Sequence, residues 1–169
     1  MVPHSHPGTA AITRVKSKTP IVLSRALDDH PAAAAILASR AQALSKDASR
    51  ESLLLVAGAA PGDLANTQWP GTLNALAEKT RRIGGFAQAE VFFLTETSPQ
   101  DERDKERLRL RELAKALKKK SQVIVIPLAL TQGGFEKNLP KLFDGIFIKI
   151  GRAMLPDSRV APWVDESAR

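Results

Sequence analysis

Apolar positions along this chain follow two alternating patterns, short unbroken runs and longer stretches spaced for one face of a helix. Ser52-Leu53-Leu54-Leu55-Val56-Ala57 is an unbroken run of strand length, as expected for a strand covered on both faces. Gly58-Ala59-Ala60-Pro61-Gly62 is expected to end it. Ala89 to Leu94, Val123 to Ile126 (closed by Pro127) and Ile146 to Ile150 are predicted as further strands, with Thr19 to Leu23 a brief earlier one. Helical spacing marks Ala32 to Leu44 through Ile36, Leu37, Ala41 and Leu44, opened by an N-cap and proline turn in Asp28-Asp29-His30-Pro31. It marks roughly Leu64 to Ile83 through Leu73, Leu76, Ala77 and Thr80, with Gly84-Gly85 as the C-cap. Gln100 to Lys120 carries Leu110, Leu113, Ala114 and Leu117 on one stripe, and Phe135 to Phe143 is a short last helix.

Strands alternating with helices predict an α/β protein: a three-layer αβα arrangement around a parallel, flavodoxin-like sheet. Ligands of such sheets sit outside the carboxyl ends of the strands. The loops of interest are therefore Gly58–Asn66, Thr95–Pro99 and Leu128–Glu136. A weak internal echo links Ile21-Val22-Leu23-Ser24-Arg25-Ala26-Leu27 with Ile148-Lys149-Ile150-Gly151-Arg152-Ala153-Met154. It suggests that the chain opens with the tail of one repeat and continues with a second.

Composition narrows the picture. With 169 residues and 43% hydrophobic content, the prior is a single folded unit. The absence of cysteine excludes disulfides, thiolate metal sites, iron–sulfur clusters and a cysteine nucleophile. No apolar run reaches membrane-spanning length, and the N-terminus lacks a hydrophobic signal core, so a cytoplasmic protein without membrane association is expected. The net charge of +7 raises nucleic acid as a partner. Yet the bases of 103–120 are interleaved with acids, and aromatics amount to only 5% with no tyrosine. The surplus reads better as a solvated face or a funnel for an anionic ligand.

Candidate chemistry is sparse. The histidines are His4, His6 and His30. His4-Ser5-His6 could share a metal ion or simply belong to a terminal segment, whereas His30 before Pro31 suits a capping role. Glu96 follows the third predicted strand and is a candidate metal ligand or proton carrier. Glu136 opens a helix, where an acid also complements the dipole. Gly133-Gly134 ahead of that helix is a candidate anion cradle or only a turn. No phosphate-binding loop, GxGxxG run or nucleophile elbow occurs.

These residues resemble a family. Leu53-Leu54-Leu55-Val56-Ala57-Gly58-Ala59 with Asn66 and Trp69 is similar to the first strand and loop of the CbiX-type sirohydrochlorin chelatases, class II chelatases whose strand ends in Val-Ala-His-Gly. Ile126-Pro127-Leu128-Ala129-Leu130-Thr131-Gln132-Gly133-Gly134 resembles their fourth strand and its small-residue loop. Leu27-Asp28-Asp29-His30-Pro31 resembles the Leu-x-x-His-Pro closure of one chelatase half, and Gly151 to Val164 the same closure of the next. The resemblance covers nearly the whole chain. It implies residues 1–18 as a flexible basic segment, 19–50 as the closing strand and helix of a preceding repeat, and 51–169 as a chelatase-like α/β domain.

The family inserts cobalt or ferrous iron into an acidic tetrapyrrole without ATP. The chemistry needs a neutral imidazole to carry the metal and take up pyrrole protons, helped by a carboxylate. Here Gly58 occupies the position of the first histidine and Ala59 that of the glycine after it, while the 131–136 loop has no histidine. The resemblance thus implies Glu96 as the surviving catalytic carboxylate. It implies Gly58, Ala59, Asn66, Gln132, Gly133, Gly134 and Glu136 as substrate-binding residues. On the repeat reading, His4 and His6 are remnants of the preceding half's metal loop. The expected function is a tetrapyrrole- or metal-binding module with weak or lost chelatase activity. It would hold no cofactor of its own, with divalent cobalt or iron as substrate metal, and would complete its cleft by homodimerisation or with a second chelatase half. The alternative is a non-catalytic assembly module for an active chelatase subunit.

Overall fold

A computed structural model describes Thr19, Leu27 and residues 30–59, 68–95, 98–131 and 133–167. The elements are α1 (Pro31–Gln42), β1 (Glu51–Ala59), α2 (Gln68–Gly84), β2 (Gln88–Thr95), α3 (Gln100–Lys118), β3 (Gln122–Pro127), α4 (Gly134–Leu142), β4 (Lys149–Ile150) and α5 (Val160–Ser167). The strands form one parallel sheet in the order β2-β1-β3-β4. The predicted strand at 19–23 lies, except for Thr19, outside the described residues.

The unbroken apolar run of β1 has the cause the sequence suggested. It is an inner strand with a helical layer on each side, so successive side chains enter opposite cores. Leu53, Leu55 and Ala57 join Ile124 and Ile126 beneath Ile36, Leu37 and Ala41 of α1 and Leu73, Leu76 and Ala77 of α2. Leu54 and Val56 join Val123 and Val125 beneath Leu110, Ala114 and Leu117 of α3 and Leu139 of α4. Three layers result. Each fully buried leucine of β1 contributes about 2 kcal/mol of transfer free energy.

Two boundaries differ from expectation. Gly58 and Ala59 do not end β1, because their backbone stays extended and pairs with Leu94 and Thr95 of β2. The last strand is far shorter than Ile146–Ile150: only Lys149 and Ile150 pair, with Ile124 and Val125. Gly145, at a φ of 75°, turns the chain after α4, and the Ile146 and Ile148 amides then bond locally to the Phe143 and Ile146 carbonyls. These amides are spent before they can join the ladder. Phe147 consequently points to solvent, 89% exposed.

Helix ends follow the capping residues. His30 caps α1, its Nδ1 accepting from the Ala32 amide at 3.2 Å, with Pro31 in the first turn. Gly85 closes α2 at a φ of 72°, and the Phe86 amide returns to the Arg81 carbonyl at 3.0 Å.

Candidate functional site

The carboxyl ends of β1, β2 and β3 lie side by side, with Gly58 opposite Leu94, Ala59 opposite Thr95 and Val56 opposite Pro127. The start of α4 follows the loop after β3, so Gly133 and Gly134 belong to the same mouth. Gly58, Gly133 and Gly134 are all exposed, and a Cβ at any of them would meet no atom of the described residues within 4 Å. Ala59 is buried at the strand end. Asn66, Glu96, Gln132, His4 and His6 lie outside the described residues. Trp69, singled out with Asn66, instead packs its ring on Phe93 with centroids 5.4 Å apart.

Several polar contacts shape this mouth. At the end of β2, Glu106 of α3 accepts from the Thr95 amide at 2.8 Å and from its hydroxyl at 2.7 Å, and the Ser98 hydroxyl donates to Thr95 Oγ1 at 2.9 Å. This anchors the chain on both sides of residues 96 and 97. Beside it lies a small cavity of about 60 Å³ bordered by Thr95, Arg103, Glu106, Arg107, Phe135 and Asn138.

On the other side, the segment after β4 braces the loop after β3. The Met154 and Leu155 amides donate to the Ala129 and Leu130 carbonyls at 3.1 and 2.8 Å, and the Ala153 amide donates to Glu136 Oε1. Glu136 thus ties the first turn of α4 to this segment, while its Oε2 is enclosed with no hydrogen-bond partner among the described residues. A bare buried carboxylate oxygen is costly. Glu136 is therefore a structural tie at the mouth, with one oxygen bonded and the other enclosed.

The brace is itself held from α1. Arg40 donates to the carbonyls of Ala153, Met154 and Pro156 at 3.3, 2.9 and 2.7 Å, and lies 3.5 Å from Asp157. Arg159 grips Asp157 with two bonds of 2.8 Å and reaches back to the Ala35 carbonyl and the Ser39 hydroxyl. Those arginine bonds hold the Asp157 carboxyl down to about 2. The roles of Arg40, Glu106, Asp157 and Arg159 escaped the sequence reading. No motif marks them, since apart from the Asp157–Arg159 pair their partners lie far away in sequence.

Among the described residues, His30 joins no metal-binding group: its Nε2 lies 3.2 Å from Glu166 and its Nδ1 is used in capping. Among the described residues, no group of three or more His, Asp or Glu side chains could hold a metal ion. Nor is any helix among them long and apolar enough to cross a membrane.

No family model matches the chain, and no curated protein matches it. Among solved structures the chain is similar to DR2241 of Deinococcus radiodurans, a multi-domain protein with structural similarity to chelatases and two additional novel domains. The TM-score is 0.57 at 23% identity, over 85% of this chain and 30% of DR2241. The chain therefore spans about 30% of the length of that protein. The likeness shows the fold: a chelatase-like α/β fold built on a parallel sheet.

Proposed function

We propose that the chain is a CbiX-like module that receives an acidic tetrapyrrole at the carboxyl-end mouth of its sheet and inserts metal weakly or not at all. The observation that carries this reading is Gly58. Next to the last residue of an inner strand of a chelatase-like sheet stands an exposed glycine whose added Cβ would meet no described atom within 4 Å, and the resemblance gives this position to the family's first histidine. A hydrogen atom in place of an imidazole offers no lone pair to a divalent metal and no base for the pyrrole protons. The remaining groups suit binding. Exposed Gly133 and Gly134 let a flat macrocycle approach the backbone, Arg103 and Arg107 place positive charge beside the mouth, and the net charge of +7 steers a polyanion. The carboxylate of Glu96 is the acceptor this reading assigns to the ligand's N–H groups, while Glu136 positions the first turn of α4 through the Ala153 amide.

The test is a titration of the protein with sirohydrochlorin, with and without Co²⁺, followed in the Soret region. Binding without metallation is the expected result. Turnover well above buffer would make the chain a working chelatase. Failure to bind the macrocycle would favour the second reading, a non-catalytic assembly partner of an active chelatase subunit.

A further inference from the structure

The opposite end of the sheet carries a second polar concavity, separate from the mouth. It has a volume of about 460 Å³ and is lined by Arg50, Ser52, Gln88, Lys120, Ser121 and Gln122, together with Ala87. Sheet register assembles it, since Ser52 pairs with Gln88 on one side and Val123 on the other, and Glu51 pairs with Gln122. The first residues of β1, β2 and β3 are thereby brought together.

Hydrogen-bond accounting gives the concavity a direction. Gln88 Nε2 donates to Ser52 Oγ at 2.9 Å, and the Ser52 and Ser121 hydroxyls bond to each other. Ser52 is only 1% exposed, so its proton must stay within this network. It is satisfied if Ser52 donates to Ser121, which leaves the half-buried Ser121 hydroxyl to donate outward. Arg50 and Lys120 flank it, and neither pairs with a carboxylate among the described residues. Among the described residues, no acid lines the concavity. The neighbouring Glu51 is engaged elsewhere, by the Ser45 hydroxyl, the Lys46 amide and Lys149. The Leu117 carbonyl at the end of α3 is closed by the Lys120 and Ser121 amides at 2.9 and 3.0 Å, which removes a repulsive oxygen.

We propose that this concavity is an oxyanion site that takes a phosphoryl group, either free phosphate or a phosphate monoester. A guanidinium, an ammonium and an outward hydroxyl are all donors, and together they match a compact dianion better than a single carboxylate. Because both cations are solvent-exposed, binding is weak and sensitive to salt. The proposal does not depend on the tetrapyrrole reading, whose ligand would sit at the other end of the strands.

The test is an amide-resolved NMR titration of the whole chain with inorganic phosphate, and separately with glycerol phosphate, against chloride at matched ionic strength. Saturable shifts centred on Ser52, Gln88 and Ser121 are expected, with affinity falling at least about tenfold in Arg50→Gln combined with Lys120→Gln. Both positions are exposed, so the double variant should keep its melting temperature. Tighter binding of the monoester would identify an ester as the ligand, and equal binding free phosphate. Shifts reproduced by chloride, shifts elsewhere, or unchanged affinity in the double variant would overturn the proposal.

Discussion

Arg40 of α1 donates to the carbonyl of Met154 at 2.9 Å, while the amide of the same Met154 donates to Ala129 in the loop after β3. One peptide segment thus transmits the position of α1 to the mouth. Arg40 holds three carbonyls and keeps only 12% of its side chain exposed. Arg40→Gln should cost about 2–3 kcal/mol in urea unfolding, because the shorter amide cannot serve all three acceptors. It should also speed amide exchange at Met154 and Leu155. Unchanged stability and unchanged protection would show that the brace holds without it.

Asp157 links this brace to pH. Its carboxyl is lowered from an ordinary 3.8 to about 2, chiefly by the hydrogen bonds from Arg159, then by the backbone bond and the charges of Arg159 and Arg40. A depressed carboxyl stabilises the fold fully above its ordinary value, and that contribution is lost as pH falls toward the folded value. Asp157→Asn should therefore lower stability at neutral pH by on the order of 2 kcal/mol. The difference from the native chain should shrink between pH 3.8 and about 2. Chemical unfolding across that range checks it, and a pH-independent difference would remove Asp157 from the acid response.

Two glycines of α2 should respond with opposite signs. Alanine favours a helix interior over glycine by about 1 kcal/mol. At exposed Gly71 no described atom lies within 4 Å of a new Cβ, so Gly71→Ala should stabilise by up to that amount. At Gly84 the Cβ would sit 2.4 and 2.6 Å from ring carbons of Phe86, itself 1% exposed. Displacing a packed ring costs about 1–3 kcal/mol, so Gly84→Ala should destabilise on balance. Paired melting curves decide the matter.

Gly58→His probes the chemistry. The backbone there is extended β-strand and a Cβ would meet no described atom within 4 Å, so the fold should accept a side chain at this position. Binding of Co²⁺, followed by its d–d absorption, should strengthen relative to the native chain with the fold unchanged by circular dichroism. No gain would mean that position 58 does not face the metal path.

Legibility in the sequence tracked periodicity. The run from Leu53 to Ala57 announced a doubly covered strand because each side chain has a core of its own, and the Leu110, Ala114 and Leu117 stripe announced α3 because it buries one face. Ile146-Phe147-Ile148 looked like a strand by composition alone. What set its structure was the turn at Gly145, where hydrophobicity gives no signal. At the mouth, glycine 58 could be placed near a strand end and the carboxylate at 136 at a helix start. That Glu136 reaches the Ala153 amide could not be foreseen, because the two meet only once β4 pairs alongside β3.

The most direct test of the account is an amide-resolved map of where sirohydrochlorin binds the native chain. The account predicts shifts at Gly58, Ala59, Thr95, Gly133 and Gly134, with Ser52, Gln88 and Ser121 at the far end of the sheet unmoved. A saturable interaction centred on the far end, or no interaction at all, would contradict it.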